Sequence, residues 1–448
     1  MLRHFTRICV RYAERYVPDP FLYAVILTFL TIPAALLWTT SGIFDVIGAW
    51  YGGLFSLLAF SMQMALVLLT GICLADAPPI KRLLAKIAGL PKTQNAAATM
   101  VFLVSAAGSW LNWGFGIVVG AILAREIAKR LRDVDFSFIV AAAYAGFMVW
   151  ASGLSSSIAL AIASPGNALN LIERETGKVM GFDQTIFAPY NWVPVVLLLI
   201  VYPFVMRWMA PAPSEMKRVD PALLVAQDAE VSVAEGPATF ASWLEQFPVI
   251  VWLFAAMAGA YALRQFATNG LSMDFNGIVC TMLVLGLVCH GRPIAYVRSF
   301  NRAAVNVGPV VLQYPFYGGI MGIITATGLA GAISAKFVAY STAGTLPFWA
   351  FISSNIISLF VPSGGGHWAV QGPFMVPAAI SLQVDPGMVA MAVAMGEQTA
   401  NMIQPFWALP LLALARLGIR DIMGYCVMGL FVGLLLFGGS LLYFAQPS

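Results

Sequence analysis

The chain has 448 residues, 60% of them hydrophobic and only 10% charged, with a mean hydropathy of +0.84, whereas a soluble domain carries roughly 25% charged and 45–50% apolar residues. A net charge of +4, with basic residues beside apolar stretches rather than in a cluster, excludes a nucleic-acid surface. Five scattered cysteines, Cys9, Cys73, Cys280, Cys289 and Cys426, show neither a CxxC nor a metal-like spacing and read as apolar packing residues.

In chain order, the opening MLRHFTRICVRYAERYVPDP is basic and amphipathic with no cleavage site, so it is expected to lie on the cytoplasmic face. Basic residues mark cytoplasmic span ends, and Arg3, Arg7, Arg11 and Arg15 set the N-terminus inside. Spans near 21–40 and 46–75 lead to a basic arm carrying Lys81, Arg82, Lys86 and Lys92. The apolar stretch at about 96–124 ends in a second basic flank, Arg125, Lys129, Arg130 and Arg132. With both flanks cytoplasmic, it reads as a re-entrant hairpin that turns within AAGSWLNWGFG. Crossings near 136–163 and 191–209 follow, then a polar, Pro-containing stretch at 210–245 that reads as a linker. Spans near 247–263, 276–290 and 303–331 come next, with Arg292, Arg298 and Arg302 marking a cytoplasmic loop. A second hairpin is expected at about 347–380, whose flanks are poor in charge and therefore external. Spans near 387–413 and 422–444 bring the total to about nine crossings, with the C-terminus outside.

The order span, span, arm, hairpin, span, span occurs twice. This divides the chain into an N-terminal repeat (1–209), a linker with one extra span (210–275) and a C-terminal repeat (276–448). The extra span inverts the second copy. Weak echoes pair 57–71 with 311–328, 108–116 with 365–373 and 143–157 with 392–406. The fold class is thus an all-α polytopic membrane protein with an inverted-topology repeat, two re-entrant hairpins and two broken transmembrane helices. That is the construction of a secondary transporter, with its substrate site near the midplane.

Candidate site residues lie at the four irregular places. The first hairpin tip contributes Ser109, Asn112 and Trp113, and the first broken span Ser155, Ser156 and Ser157. The second tip contributes Ser363, Gly364, Gly365, Gly366, His367 and Gln371. The second broken span, interrupted at Pro405, contributes Glu397, Gln398, Thr399, Asn401 and Gln404. Half-helix N-termini there can face a carboxylate, and hydroxyls and freed carbonyls can hold Na⁺, for which Ser155, Ser156, Asn112 and Thr399 are the expected ligands. The bland alternative for each Ser or Gly is close helix packing. Glu397 is the one acidic residue inside an apolar span, a functional site by default. It is expected to carry a coupling proton or help hold Na⁺, the alternative being a structural partner of its polar neighbours. His367 could hydrogen-bond a substrate carboxylate or be a satisfied buried histidine. Trp110, Trp113 and Trp368 are expected to wall a short acyl chain, against a plain role as interface anchors.

The segment VPSGGGHWAVQGPFMVPAA, with GSWLNWGFG upstream and GEQTANMIQPFWALPLL downstream, resembles the short-chain fatty acid transporter family of the AtoE type over essentially the whole chain. The resemblance implies uptake of acids such as butyrate or acetoacetate. It also implies membership of the ion-transporter superfamily, with a scaffold domain, a moving transport domain and usually a homodimer. The expected setting is a bacterial inner membrane, multi-pass, with the C-terminus periplasmic and Na⁺ or H⁺ as coupling ion in place of any cofactor. The expected partners are a small organic anion and the lipid bilayer, and no nucleic acid. A dicarboxylate transporter on the same architecture is the nearest alternative, but no Lys or Arg stands inside a span or tip to meet a second carboxylate. A membrane enzyme would need an activated nucleophile or a metal cluster, and no such grouping surrounds His367 or Glu397.

Overall fold

A computed structural model describes residues 20–216, 218–219, 239–269, 274–404 and 406–446. The basic N-terminal segment, most of the linker and Pro405 lie outside the described residues. Among the described residues every regular element is helical, as expected where each backbone polar group must be satisfied within its own segment.

The first half runs α1 (Pro20–Trp38), α2 (Ile43–Gly53), α3 (Leu58–Asp76), α4 (Pro78–Ile87), α5 (Gln94–Leu111) and α6 (Trp113–Arg130). Then come α7 (Phe136–Ala145), a 3₁₀ turn (Gly146–Ser152), α8 (Ser157–Ala163), α9 (Leu171–Thr176) and α10 (Pro189–Met209). The intervening α11 (Phe240–Glu245) and α12 (Pro248–Asn269) precede the second half. That half comprises α13 (Phe275–His290), α14 (Pro293–Ala303), α15 (Gly308–Ala326), α16 (Leu329–Tyr340) and α17 (Leu346–Ile357). It continues with α18 (Gly364–Ser381), α19 (Pro386–Ala400), α20 (Ala408–Ala415) and α21 (Ile419–Phe444).

Helices that start at 43, 58, 113, 136 and 157 recur at 293, 308, 364, 386 and 408, an offset of 250 or 251 each time. Lengths recur as well: α2 and α14 each have 11 residues, α3 and α15 each have 19, and α6 and α18 each have 18. Even a cap recurs, since Asp135 opens α7 by accepting from the Phe138 N–H and Asp385 opens α19 by accepting from Gly387. These starts set Asn112 against Ser363, six residues earlier than the sequence echo of 108–116 with 365–373.

Among the described residues six helices are long and apolar enough to cross a membrane, or seven if α14 and α15, bent by 50°, count as one. Two of the nine expected crossings fall short of that length: α13 has 16 residues, and 386–415 is broken into α19 and α20. The expected span at 46–75 is likewise two helices, parted by a turn at 54–57. The halves meet where α2 packs on α15. A Cβ on Gly318 would lie 2.5 Å from the Gly53 carbonyl oxygen, and one on Gly322 2.4 Å from that of Ala49. Small residues four apart on both helices let the backbones touch, which is how apolar helices associate where lipid supplies no hydrophobic drive.

Burial separates core from periphery. The broken span 136–163 is 94% buried, while the span from 240 to 264 is 6% buried and shows Trp252, Leu253, Met257 and Tyr261 outward. A helix apolar all round and uncovered faces hydrocarbon.

Candidate functional site

Both hairpins and both breaks form, and they converge. In the first hairpin, α5 and α6 are separated by Asn112 alone, whose Oδ1 accepts the Phe115 N–H at 2.9 Å and whose Nδ2 donates to the Val67 carbonyl at 3.1 Å. Ser109 is fully buried against Gly116 and makes no hydrogen bond through its hydroxyl among the described residues. The first break begins where α7 tightens into the 3₁₀ turn and then runs extended through Gly153. Gly153 is needed there because a Cβ would lie 2.2 Å from the Trp110 carbonyl oxygen. That carbonyl takes the freed Leu154 N–H at 2.7 Å. Ser155 accepts the Trp113 N–H at 2.9 Å, and Ser156 caps α8 by accepting from Ala159.

The second break is bound to the first. Gln398 accepts the N–H groups of Ala151 and Ser152 at 3.0 and 3.1 Å and donates to the Ser152 hydroxyl at 2.9 Å. Asn401 accepts the Trp150 indole N–H at 2.8 Å, and Gln404 donates to the Ser358 carbonyl at 3.1 Å. These three amides satisfy backbone and indole groups that the breaks leave open, so they hold the site's frame. Thr399 is turned away: its hydroxyl donates to the Met395 carbonyl of its own helix, and its side chain packs on Gly433 of α21. The expected cation ligands are therefore not brought together, because Thr399 stands apart from Asn112, Ser155 and Ser156.

In the second hairpin, Gly364, Gly365 and Gly366 open α18 in contact with Ser157, the Phe60 ring and the Tyr317 ring, each within 2.3 Å of where a Cβ would stand. His367 lies in the first turn of α18 rather than at the tip. Its Nε2 is 2.6 Å from Gln371 Oε1 and 3.2 Å from Ser354 Oγ, while Gln371 donates to the Ala350 carbonyl at 3.1 Å. His367 and Gln371 thus tie α18 to α17. Trp368 donates to the Leu169 carbonyl at 2.9 Å and packs on Gly372, away from any substrate wall. Trp110 pairs with Phe187 instead.

What remains is a chamber lined by the first residue of three helices: Trp113 of α6, Ser157 of α8 and Gly364 of α18. Beside Gly364, Glu397 Oε2 and Ser157 Oγ approach the same point, 3.2 and 2.1 Å from where a Cβ would be. Both Glu397 oxygens and the Ser157 hydroxyl are buried without a hydrogen-bond partner among the described residues. Buried polar atoms of this kind call for an explanation, and a bound solute is one. Opposite them Ser363 donates to the Tyr314 hydroxyl at 3.0 Å, with Gln313 alongside. Trp150, Phe147, Phe406 and Trp407 close the apolar side, and among the described residues no Lys, Arg or His lines the chamber.

Trp150, Trp407, Gln313 and Tyr314 are site residues that the sequence reading missed. The signal for the last two was present: Pro315 lies inside α15 beside two polar side chains in an otherwise apolar helix. Trp407 follows directly on the second break, where unwound backbone brings a side chain to a cavity.

The family model described as "Short chain fatty acid transporter" matches residues 1–444. A protein of Escherichia coli (strain K12) named "Putative short-chain fatty acid transporter" is 39% identical over 430 residues, covering 96% of this chain and 97% of its own. One of the same name from Haemophilus influenzae is 37% identical over 433 residues, with the same coverage of both chains. Among solved structures, the YdaH transporter of Alcanivorax borkumensis superposes with a TM-score of 0.53 over 94% of this chain and 98% of its own. It is 15% identical, a likeness of fold.

Proposed function

Because the chain belongs to the short-chain fatty acid transporter family and is a multi-pass membrane protein, we propose that it moves small monocarboxylates across a bacterial inner membrane by alternating access, with a coupling cation held at Glu397. The observation that carries this reading is the approach of Glu397 and Ser157 to the same glycine, Gly364, next to a chamber that Trp113, Ser157 and Gly364 line from the starts of three helices, with aromatic walls and no cationic side chain among the described residues. Helix N-termini favour an anion, and the aromatic wall suits one short apolar tail. A carboxylate brought beside a second carboxylate needs a cation between them, a shared proton or Na⁺, which makes anion and cation travel together. A dicarboxylate is disfavoured on the same ground, since its second charge would meet only the apolar wall.

The recurrence of helix starts at a fixed offset supports two copies of one unit. In the inverted arrangement we propose, the two hairpins enter from opposite faces and their breaks cross at mid-depth. Basic flanks around α4, α6 and α14 support a cytoplasmic position for those ends.

Counterflow of labelled butyrate in proteoliposomes, run with and without Na⁺ and a pH gradient, tests the reading. Saturable exchange that one of the two gradients drives uphill is the expected result. Linear, non-exchanging flux would indicate a pore and overturn it.

A further inference from the structure

The chamber is not the only cavity. A second one, of about 310 Å³ against about 20 Å³ for the chamber, lies beside it and is lined by Leu68, Ile72, Ile117 and Val118. The two share Trp113, Pro309, Phe406 and Trp407 as a common wall. The Trp113 and Trp407 rings meet edge to face, with centroids 4.9 Å apart and planes at 70°. Each ring is braced by a hairpin tip. Trp407 donates its indole N–H to the Pro362 carbonyl at 3.0 Å, one residue before the Ser363 cap of α18, and Trp113 is the first residue of α6 with its backbone N–H on Ser155.

From this geometry we infer that the Trp113–Trp407 pair sets the acyl chain length the protein accepts, with Trp407 as the specificity-determining residue. The inference rests on the monocarboxylate reading of the chamber. A carboxyl group seated at Ser157 and Gly364 has the aromatic pair in the wall of the same chamber, so a lengthening tail runs against those rings. Beyond the rings lies mostly apolar space that would hold a longer chain, with Asn306 its one polar aliphatic side chain among the described residues. Trp407 therefore rejects medium-chain acids by closing off a cavity that would otherwise take them, a methylene that does not fit costing about 10–200-fold.

The test uses the full chain in proteoliposomes. Unlabelled acids of two to eight carbons compete against labelled butyrate in counterflow, for wild type and for Trp407→Ala and Trp407→Phe. Trp407→Ala is expected to improve octanoate competition relative to butyrate by about tenfold or more. Trp407→Phe, which keeps a ring but loses the bond to Pro362, is expected to fall between. If Trp407→Ala does not insert, Trp407→Leu and Trp113→Leu carry the same comparison. Wild-type counterflow with an unchanged chain-length profile in the inserted variants overturns the inference alone. Absence of butyrate counterflow in correctly inserted wild type overturns the monocarboxylate reading, and the inference with it.

Discussion

The indole N–H of Trp150 donates to the side-chain oxygen of Asn401 at 2.8 Å, and through that bond the first broken span holds the second across 251 residues of sequence. Tyr144 reinforces it from six residues earlier by donating to the Asn401 carbonyl at 2.8 Å. Two helices interrupted at the same depth leave backbone groups that lipid cannot satisfy. Here part of each interruption is satisfied by the other, through Gln398 on the N–H groups of Ala151 and Ser152 and through Tyr144 on the Asn401 carbonyl.

Removing both partners should therefore cost less than the two single losses added together. Asn401→Ala leaves the Trp150 donor buried and unpaired, at about 1–3 kcal/mol, and Trp150→Phe strands the amide. In a double-mutant cycle read by thermal unfolding in detergent, the pair should lose less than the sum of the singles by about 0.5–3 kcal/mol. Simple additivity would mean the bond does not join the breaks.

Glycines divide into those that carry contact and those that do not. Gly318→Ala places a methyl against the Gly53 carbonyl on a partner backbone that cannot turn aside, and overpacking of this kind costs about 1–3 kcal/mol. Gly331, inside α16, has nothing within 4 Å of a Cβ. Gly331→Ala should stabilise by about 0.5–1 kcal/mol through reduced backbone freedom. Equal shifts for the two variants would contradict the close packing of α2 on α15.

Glu397 is placed for cycling rather than for folding, because its carboxyl group makes no hydrogen bond among the described residues. Glu397→Gln should insert and unfold like wild type, yet fill proteoliposomes only to equilibrium when a cation gradient is applied. Ser157→Ala, on the other side of Gly364, should raise the apparent KM for butyrate with a smaller effect on accumulation. Uphill uptake by Glu397→Gln at the wild-type level would reduce Glu397 to a packing residue and leave coupling without a carrier.

How far the sequence carried differs by level. Charge on both flanks of 96–124 announced a hairpin, and α5–Asn112–α6 is one. Ser155–Ser157 and Gly364–Gly366 announced breaks and close approach, and all six take part in them. Roles were less legible. Gln398, Asn401 and Gln404 have the composition of ligands but act as caps, because a polar side chain in an apolar segment looks the same whether it meets a solute or a stranded N–H. Trp368 and Trp407 are equally aromatic and equally near a break. Only packing shows that the first turns to Leu169 and the second to the chamber. Nothing in a single sequence reports which side of a helix faces a cavity that two distant segments build.

The opposed entry of the two hairpins can be read from their outer ends. The turn residues Ser109 and Ser363 are buried, so cysteines there would stay silent from either side. Lys92, just before α5, and Ser381, the last residue of α18, are both exposed and lie at the ends of the arms away from the turns. In a background with all five native cysteines removed, Lys92→Cys and Ser381→Cys should be labelled by an impermeant maleimide from opposite faces of the membrane. The cytoplasmic face is expected for Lys92, since it belongs to the basic flank of the first hairpin. Labelling of both from one face would put the two hairpins on the same side. A parallel repeat would then replace the inverted one, and the access path would have to switch by some motion other than the exchange of roles between two opposed copies.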